Sequence, residues 1–166
     1  AQQKRPNWGQ IPLLQGFIAL QQENEGAALG YYQRAIDLGN RDMEIIGVVA
    51  QLLMRIGRLN EAYTVIQKLA EQRTTPSAEV AALGSRISVS QRDYERALEL
   101  AEIPVESGSQ ELKDYVWLGQ LYAVQDKLVE AKRVVQQAID MKPEDGVAYL
   151  AMVQLLMSAS DDAKKM

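Results

Sequence analysis

Apolar residues recur at steps of three and four along most of the chain, which is the spacing of one face of an α-helix. Segments 112–125 and 128–141 show this pattern most clearly, and no segment sustains the period-two alternation of a β-strand. Short breaks such as 57–58 and 126–127 separate the helical segments, and their residues are typical of turns. The pattern therefore predicts an all-α chain in which helices come in pairs, A and then B, joined by tight turns.

Small residues recur within this pattern at a spacing of 34 or 35 positions. One series lies in the A helices and the other in the B helices. A period in this range is typical of stacked repeat proteins. Because antiparallel helices joined by a tight turn must approach closely, we expect the small residues to mark the helix crossings. The crossing positions are Gly16, Ala28, Ala50, Ala62, Gly84, Ala97, Gly119 and Ala131.

Aligned on these positions, the chain divides into four full repeats and part of a fifth. The segments are 1–8, the tail of a preceding repeat; 9–42, 43–76, 77–111 and 112–145, the repeats; and 146–166, helix A of a truncated fifth repeat with a polar tail. The third repeat has one extra residue between Gly84 and Ala97, which we place in the turn near 88–92. Pro104 is expected to stop its second helix near Ile103, because proline lacks the N–H that a helix interior uses. We expect the chain to be a fragment of a longer array.

The fourth repeat resembles the tetratricopeptide repeat (TPR) in the spacing of its large and small residues. The residues that carry the resemblance are Tyr115, Leu118, Gly119, Tyr122, Ala131, Val135, Ala138 and Pro143. The other repeats match in phase but more loosely. The resemblance implies a right-handed superhelical solenoid of antiparallel helix pairs, with A helices on the concave face and B helices on the convex face.

The amino-acid composition excludes several kinds of metal site and active site. The chain has no cysteine and no histidine, which excludes Cys/His zinc sites and Ser–His or Cys–His nucleophile pairs. Its glycines are isolated, so there is no phosphate-binding loop. Its neighbouring acidic residues lie in turns and at charged helix starts, which is typical of a solvent-exposed surface. We therefore expect no catalytic residue, no metal site and no cofactor.

The formal net charge of −4 argues against nucleic-acid binding, which needs a basic face. No apolar run reaches the length that spans a bilayer, so we expect no membrane insertion. Both the cytoplasm and the periplasm stay compatible with the composition.

Charged side chains are concentrated in the B helices, and the first and fifth A helices carry none. By the resemblance, this distribution implies a weakly charged inner groove. The candidate groove residues are Leu13, Phe17, Gln21, Val48, Gln51, Arg55, Ser85, Ser88, Lys113, Trp117, Gln120 and Gln154. Phe17 and Trp117 are candidate apolar anchors, while the amide and hydroxyl side chains are candidate hydrogen-bonding partners for an extended segment. Alternatively, the two aromatics pack between repeats and the glutamines are ordinary helix formers.

The function predicted is therefore that of a protein–protein interaction scaffold, without catalysis, which holds a segment of a protein or peptide partner in the groove. The alternative is a structural spacer or self-assembly segment of a larger repeat protein, in which the truncated ends associate with other copies. The sequence does not decide between these two functions.

Overall fold

The structure is a computed structural model that describes residues 9–70 and 75–163; for residues 69–70 and 159–163 it describes the backbone alone. Every regular element in these ranges is an α-helix, as predicted. The helices are α1 (Gln10–Gln21), α2 (Glu25–Asp37), α3 (Met43–Arg55), α4 (Leu59–Ala70), α5 (Ala78–Ser90), α6 (Tyr94–Glu106), α7 (Leu112–Val124), α8 (Leu128–Met141) and α9 (Gly146–Ala163). The predicted tail at 1–8 lies outside the described residues.

Four turns of three residues join each A helix to its B helix. The middle residue of each turn has a left-handed backbone: φ is 56° at Glu23, 78° at Gly57, 59° at Arg92 and 59° at Asp126. The next residue then donates its N–H to a carbonyl in the last turn of the A helix, as Lys127 does to Tyr122. This arrangement satisfies helix-terminal carbonyls and reverses the chain within three residues.

The extra residue of the third repeat precedes α5, so its predicted placement in the α5–α6 turn is wrong. The start of a B helix and the start of the next A helix are 18 positions apart for α2–α3, α6–α7 and α8–α9, but 19 apart for α4–α5. As a result Ser85, rather than Gly84, lies twelve residues before Ala97, as Gly119 lies before Ala131. Two adjacent small residues made these registers indistinguishable by spacing.

The expected end of α6 near Ile103 is also wrong, because the helix continues through Pro104 to Glu106. Ser107 donates its N–H to the carbonyl of Ile103, and Ser109 donates to the carbonyl of Pro104. Proline lacks only its own N–H, and its carbonyl still accepts. Near the C-terminus of a helix it therefore does not end the hydrogen-bonded ladder.

The helices group into two compact units, Ala1–Ile87 and Ser88–Met166. In the first unit α2 packs against α1 and α3, and α3 packs against α4. A Cβ added at Gly16 would lie 2.5 Å from Cε1 of Tyr32, and one added at Gly47 would lie 2.6 Å from Cγ2 of Val80. At both positions a larger residue would force the neighbouring side chain to move. Ala28 and Ala62 are fully buried as well.

In the second unit α7 packs against α6, α8 and α9, and α8 also packs against α9. A Cβ at Gly119 would lie 2.5 Å from Cγ2 of Val135, so any larger residue at the α7–α8 crossing would force Val135 to move. Ala97 and Ala131 are fully buried. The hydroxyl of Tyr122 donates to Oε1 of Glu102 at 2.7 Å, which ties α7 to α6.

Candidate partner-binding surface

The second unit contains a cleft of about 180 Å³ between α7, α8 and α9. The residues that line it are Gln120, Ala123, Val135, Ala151, Gln154, Leu155 and Ser158. We call it the α7–α9 cleft. Pockets for cofactors and drug-sized ligands usually measure about 300–1,000 Å³. The α7–α9 cleft is smaller, so it suits one side chain of a larger partner better than a whole small molecule.

The cleft exists because small residues lie where α7 and α9 face each other. Ala123 on α7 and Ala151 on α9 leave space between their helices, and the fully buried Val135 on α8 contributes to the apolar lining. Gly119, one residue before Gln120, lets α8 approach α7 closely. The tight α7–α8 crossing and the cleft beside it therefore both depend on small residues in one segment of α7, Gly119 and Ala123.

Two exposed glutamines add polar groups to this lining. Gln120 and Gln154 lie 34 residues apart, at the same position of successive A helices, and both line the cleft. A carboxamide carries two N–H donors and an acceptor oxygen. The cleft therefore combines an apolar lining for a side chain with groups that can pair with a peptide backbone.

A separate apolar group lies in the first unit. The ring of Phe17 meets the ring of Tyr32 edge to face, with centroids 5.7 Å apart and planes at 85°. Tyr32 is fully buried, while Phe17 is 48% exposed. Burial raises the pKa of the Tyr32 hydroxyl. Phe17 therefore packs on a buried neighbour while about half of its surface stays exposed, as in an apolar anchor.

The remaining candidate groove residues differ in how accessible they are. Gln21 and Gln51 are exposed, and Leu13 and Val48 are partly buried. Arg55 forms an ion pair with Glu25 of α2, with 2.6 Å between Nη1 and Oε1, and Lys113 lies 3.5 Å from the carboxylate of Glu111. The two cations, Arg55 and Lys113, are therefore already partly neutralised.

Ser85 and Ser88 are fully buried, which contradicts their prediction as groove residues. The one-residue shift before α5 explains the error, because it moves each position of this helix round by 100°. In the corrected register Arg86 takes the position of Gln51 and Gln120, and Arg86 is exposed. Arg86 was not predicted as a groove residue, because the register taken from spacing alone placed it on another face of α5.

Trp117 is partly buried and packs against the core of the second unit. The structure thus favours the packing alternative for this residue. The cleft residues Ala123, Val135, Ala151, Leu155 and Ser158 were not predicted. On α9 three of them share a face with Gln154 through steps of three and four, and this spacing is the feature that could have identified them.

Within the described ranges, no three histidine, cysteine, aspartate or glutamate side chains come together as a metal site would require. In the same part of the chain, none of the helices has the length and apolar character needed to cross a bilayer.

No protein-family model matches the sequence. A BBSome complex member, the BBS4 homolog of Drosophila melanogaster, is 22% identical over 162 residues, and the match covers 91% of this chain. It covers 33% of the relative, so the chain spans a third of the length of that protein.

MamA and YrrB are two of the solved structures with similar folds. MamA superposes with a TM-score of 0.76 at 19% identity, covering 95% of this chain and 86% of MamA. YrrB, a TPR protein with an unusual peptide-binding site, has a TM-score of 0.69 at 16% identity, covering 87% of this chain and 74% of YrrB. The chain therefore has the tetratricopeptide-repeat fold, and the predicted fold class is confirmed.

Proposed function

We propose that this chain is a protein–protein interaction scaffold whose second unit binds an extended segment of a partner at the α7–α9 cleft. The observation that carries the proposal is the pairing of an apolar lining with two exposed carboxamides in a space of about 180 Å³. A partner segment would place one aliphatic side chain in the cleft, while Gln120 and Gln154 hydrogen-bond its backbone.

Two of the three helices that line the cleft, α7 and α9, carry few charged side chains, which favours an uncharged partner segment. Residues 146–158 of α9 carry no charged side chain. On α7 the charged residues are Lys113, whose amine lies 3.5 Å from a Glu111 carboxylate oxygen, and the buried Asp114. Asp114 accepts a 2.6 Å hydrogen bond from the hydroxyl of Ser109. Recognition would therefore depend on shape and backbone pairing rather than on charge, and its affinity should change little with salt.

YrrB, which shares the fold, has an unusual peptide-binding site. In this chain it is the lining of the α7–α9 cleft that supports peptide binding.

The proposal is tested by selecting peptides from a random displayed library on the whole chain and measuring their affinities by fluorescence anisotropy. The selected peptides should share an aliphatic residue. Replacing Gln120 or Gln154 by Ala should weaken binding about 2–10-fold each, since a neutral hydrogen bond contributes roughly 0.5–1.5 kcal/mol. Ala123→Leu, which fills the cleft, should weaken it further.

Gln137→Ala is the matched control, because Gln137 is an exposed glutamine on α8 that does not line the cleft. Its affinity for the peptides should equal that of the parent chain. Selected peptides that bind the Gln120→Ala and Ala123→Leu variants as tightly as the parent would refute the cleft as the binding site.

A further inference from the structure

The residues that line the α7–α9 cleft have equivalents in the preceding repeat. Helices α5, α6 and α7 begin at 78, 94 and 112, and α7, α8 and α9 begin 34 positions later in each case. Ala123 therefore corresponds to Val89 and Ala151 to Trp117. Val89 lies in the last turn of α5, within the second unit. Both larger side chains are partly buried and pack against the core of that unit, so two apolar side chains occupy the positions that hold alanine in the cleft.

Two other lining positions hold the same residue type in both repeats. Leu155 and its equivalent Leu121 are both buried, while Gln154 and its equivalent Gln120 are both exposed. These positions do not distinguish the cleft from the preceding repeat. The change from large apolar side chains to alanine does distinguish it.

The lining on α8 changes in the opposite direction. Ala101 of α6 is buried, and its equivalent on α8 is the larger and fully buried Val135, which lines the cleft. Val135 thus gives the cleft an apolar wall, while Ala123 and Ala151 leave the space in front of it open. Because protein interiors pack closely and leave few voids, a side chain from outside the chain can complete the packing here.

We propose that Ala123 and Ala151 determine the specificity of the α7–α9 cleft, so that the partner's aliphatic side chain takes the space that Val89 and Trp117 occupy one repeat earlier. This inference rests on the proposed function and specifies how the bound side chain is selected. The selection is by size, because a longer aliphatic side chain removes more apolar surface from water. Each buried methylene contributes about fourfold in affinity, so a leucine should bind roughly 50-fold more tightly than an alanine.

Installing the side chain of the preceding repeat tests this assignment. Ala151→Trp introduces at position 151 the residue that the same fold holds 34 positions earlier. Its affinity for a selected peptide, measured by fluorescence anisotropy, should be at least tenfold lower than that of the parent chain. Its melting temperature should equal or exceed that of the parent, because the indole fills open space instead of displacing packed atoms. A residue with a purely structural role would instead lower the melting temperature.

Ala27→Val is the matched control for the added bulk. Ala27 is a partly buried alanine on α2, in the first unit, and does not line the cleft. This variant should bind the selected peptide as tightly as the parent chain.

Size selection is tested with three versions of the peptide that carry leucine, valine or alanine at the aliphatic position. Ala123→Val adds two methyl groups to the lining, and the preceding repeat already holds valine at this position. The preference for leucine over alanine should therefore fall from roughly 50-fold in the parent to below about tenfold in the variant. If Ala123→Val weakened all three peptides by the same factor, selection by size would be refuted.

The glutamine variants separate a failure of this proposal from a failure of the proposed function. If Gln120→Ala and Gln154→Ala weaken binding while Ala151→Trp binds as tightly as the parent, the segment lies across the cleft without filling it, and the role of the two alanines is refuted. If none of the three variants changes the affinity, the cleft is not the binding site and both proposals are wrong.

Discussion

The crossing of α7 and α8 predicts that Gly119→Ala destabilises the protein, although alanine is the better helix former. The added Cβ would lie 2.5 Å from Cγ2 of Val135 and 3.4 Å from the carbonyl oxygen of Ala131. Val135 is fully buried, and its branched side chain has one favoured rotamer in a helix. It therefore has no free direction in which to move.

The magnitude follows from two opposing terms. Overpacking a core costs about 1–3 kcal/mol, while replacing a glycine inside a helix by alanine gains about 1 kcal/mol. The net expectation is a loss of up to about 2 kcal/mol in the free energy of unfolding, measured by urea denaturation followed by circular dichroism.

Gly30→Ala supplies the matched control. Gly30 lies within α2, is exposed, and would have no heavy atom within 4 Å of an added Cβ. It should therefore show the propensity gain alone, a stabilisation of about 0.5–1 kcal/mol. In a Val135→Ala background the penalty of Gly119→Ala should also disappear, since the clashing methyl group is gone. If Gly119→Ala stabilised the protein as Gly30→Ala does, the close crossing would be refuted.

Three further predictions concern buried side chains. Tyr122→Phe should cost about 1 kcal/mol by removing the hydrogen bond to Glu102. Burial and Glu102 raise the pKa of Tyr122 from 10.0 to about 12, so the stabilisation is full below pH 10 and is lost as the pH rises to 12. Urea titrations of the parent chain across that pH range should show the loss. Tyr32→Phe should be neutral or stabilising, since the buried Tyr32 hydroxyl has no hydrogen-bond partner among the described residues; a melting temperature lowered as far as that of Tyr122→Phe would contradict this. Ala131→Leu should cost about 1–3 kcal/mol because Ala131 is fully buried at the crossing, whereas Val129→Leu, on the exposed side of α8, should melt like the parent.

The helix pairs were predictable because two independent local patterns agree. The steps of three and four define each helix, and the small residues recur where helices approach, as the short distances at Gly16 and Gly119 demonstrate. Tight turns were predictable from the short polar breaks. The left-handed backbone at the turns was not predictable, because three of the four positions hold Glu23, Arg92 and Asp126 instead of glycine.

The errors have local physical causes. Gly84 and Ser85 are adjacent and both small, so spacing could not decide which of them lies at the crossing, and the wrong choice rotated the predicted face of α5. Proline was expected to end α6, but a proline this close to a helix C-terminus removes one donor without breaking the hydrogen-bonded ladder.

The candidate site was only partly predictable. Gln120 and Gln154 follow from the repeat period, because equivalent positions of successive A helices recur 34 residues apart. The apolar lining does not follow, since Ala123, Val135 and Ala151 come from three different helices. Their proximity depends on how closely the helices pack, which a one-dimensional pattern does not contain.

The central claim is that a partner segment binds at the α7–α9 cleft, and nuclear magnetic resonance tests it most directly. Titrating a selected peptide into the ¹⁵N-labelled chain should shift the side-chain amide signals of Gln120 and Gln154 and the backbone signals of Ala123 and Ala151. The side-chain signal of Gln137 on α8 should stay in place. Shifts at Gln137 with unchanged signals at Gln120 and Gln154 would contradict the account.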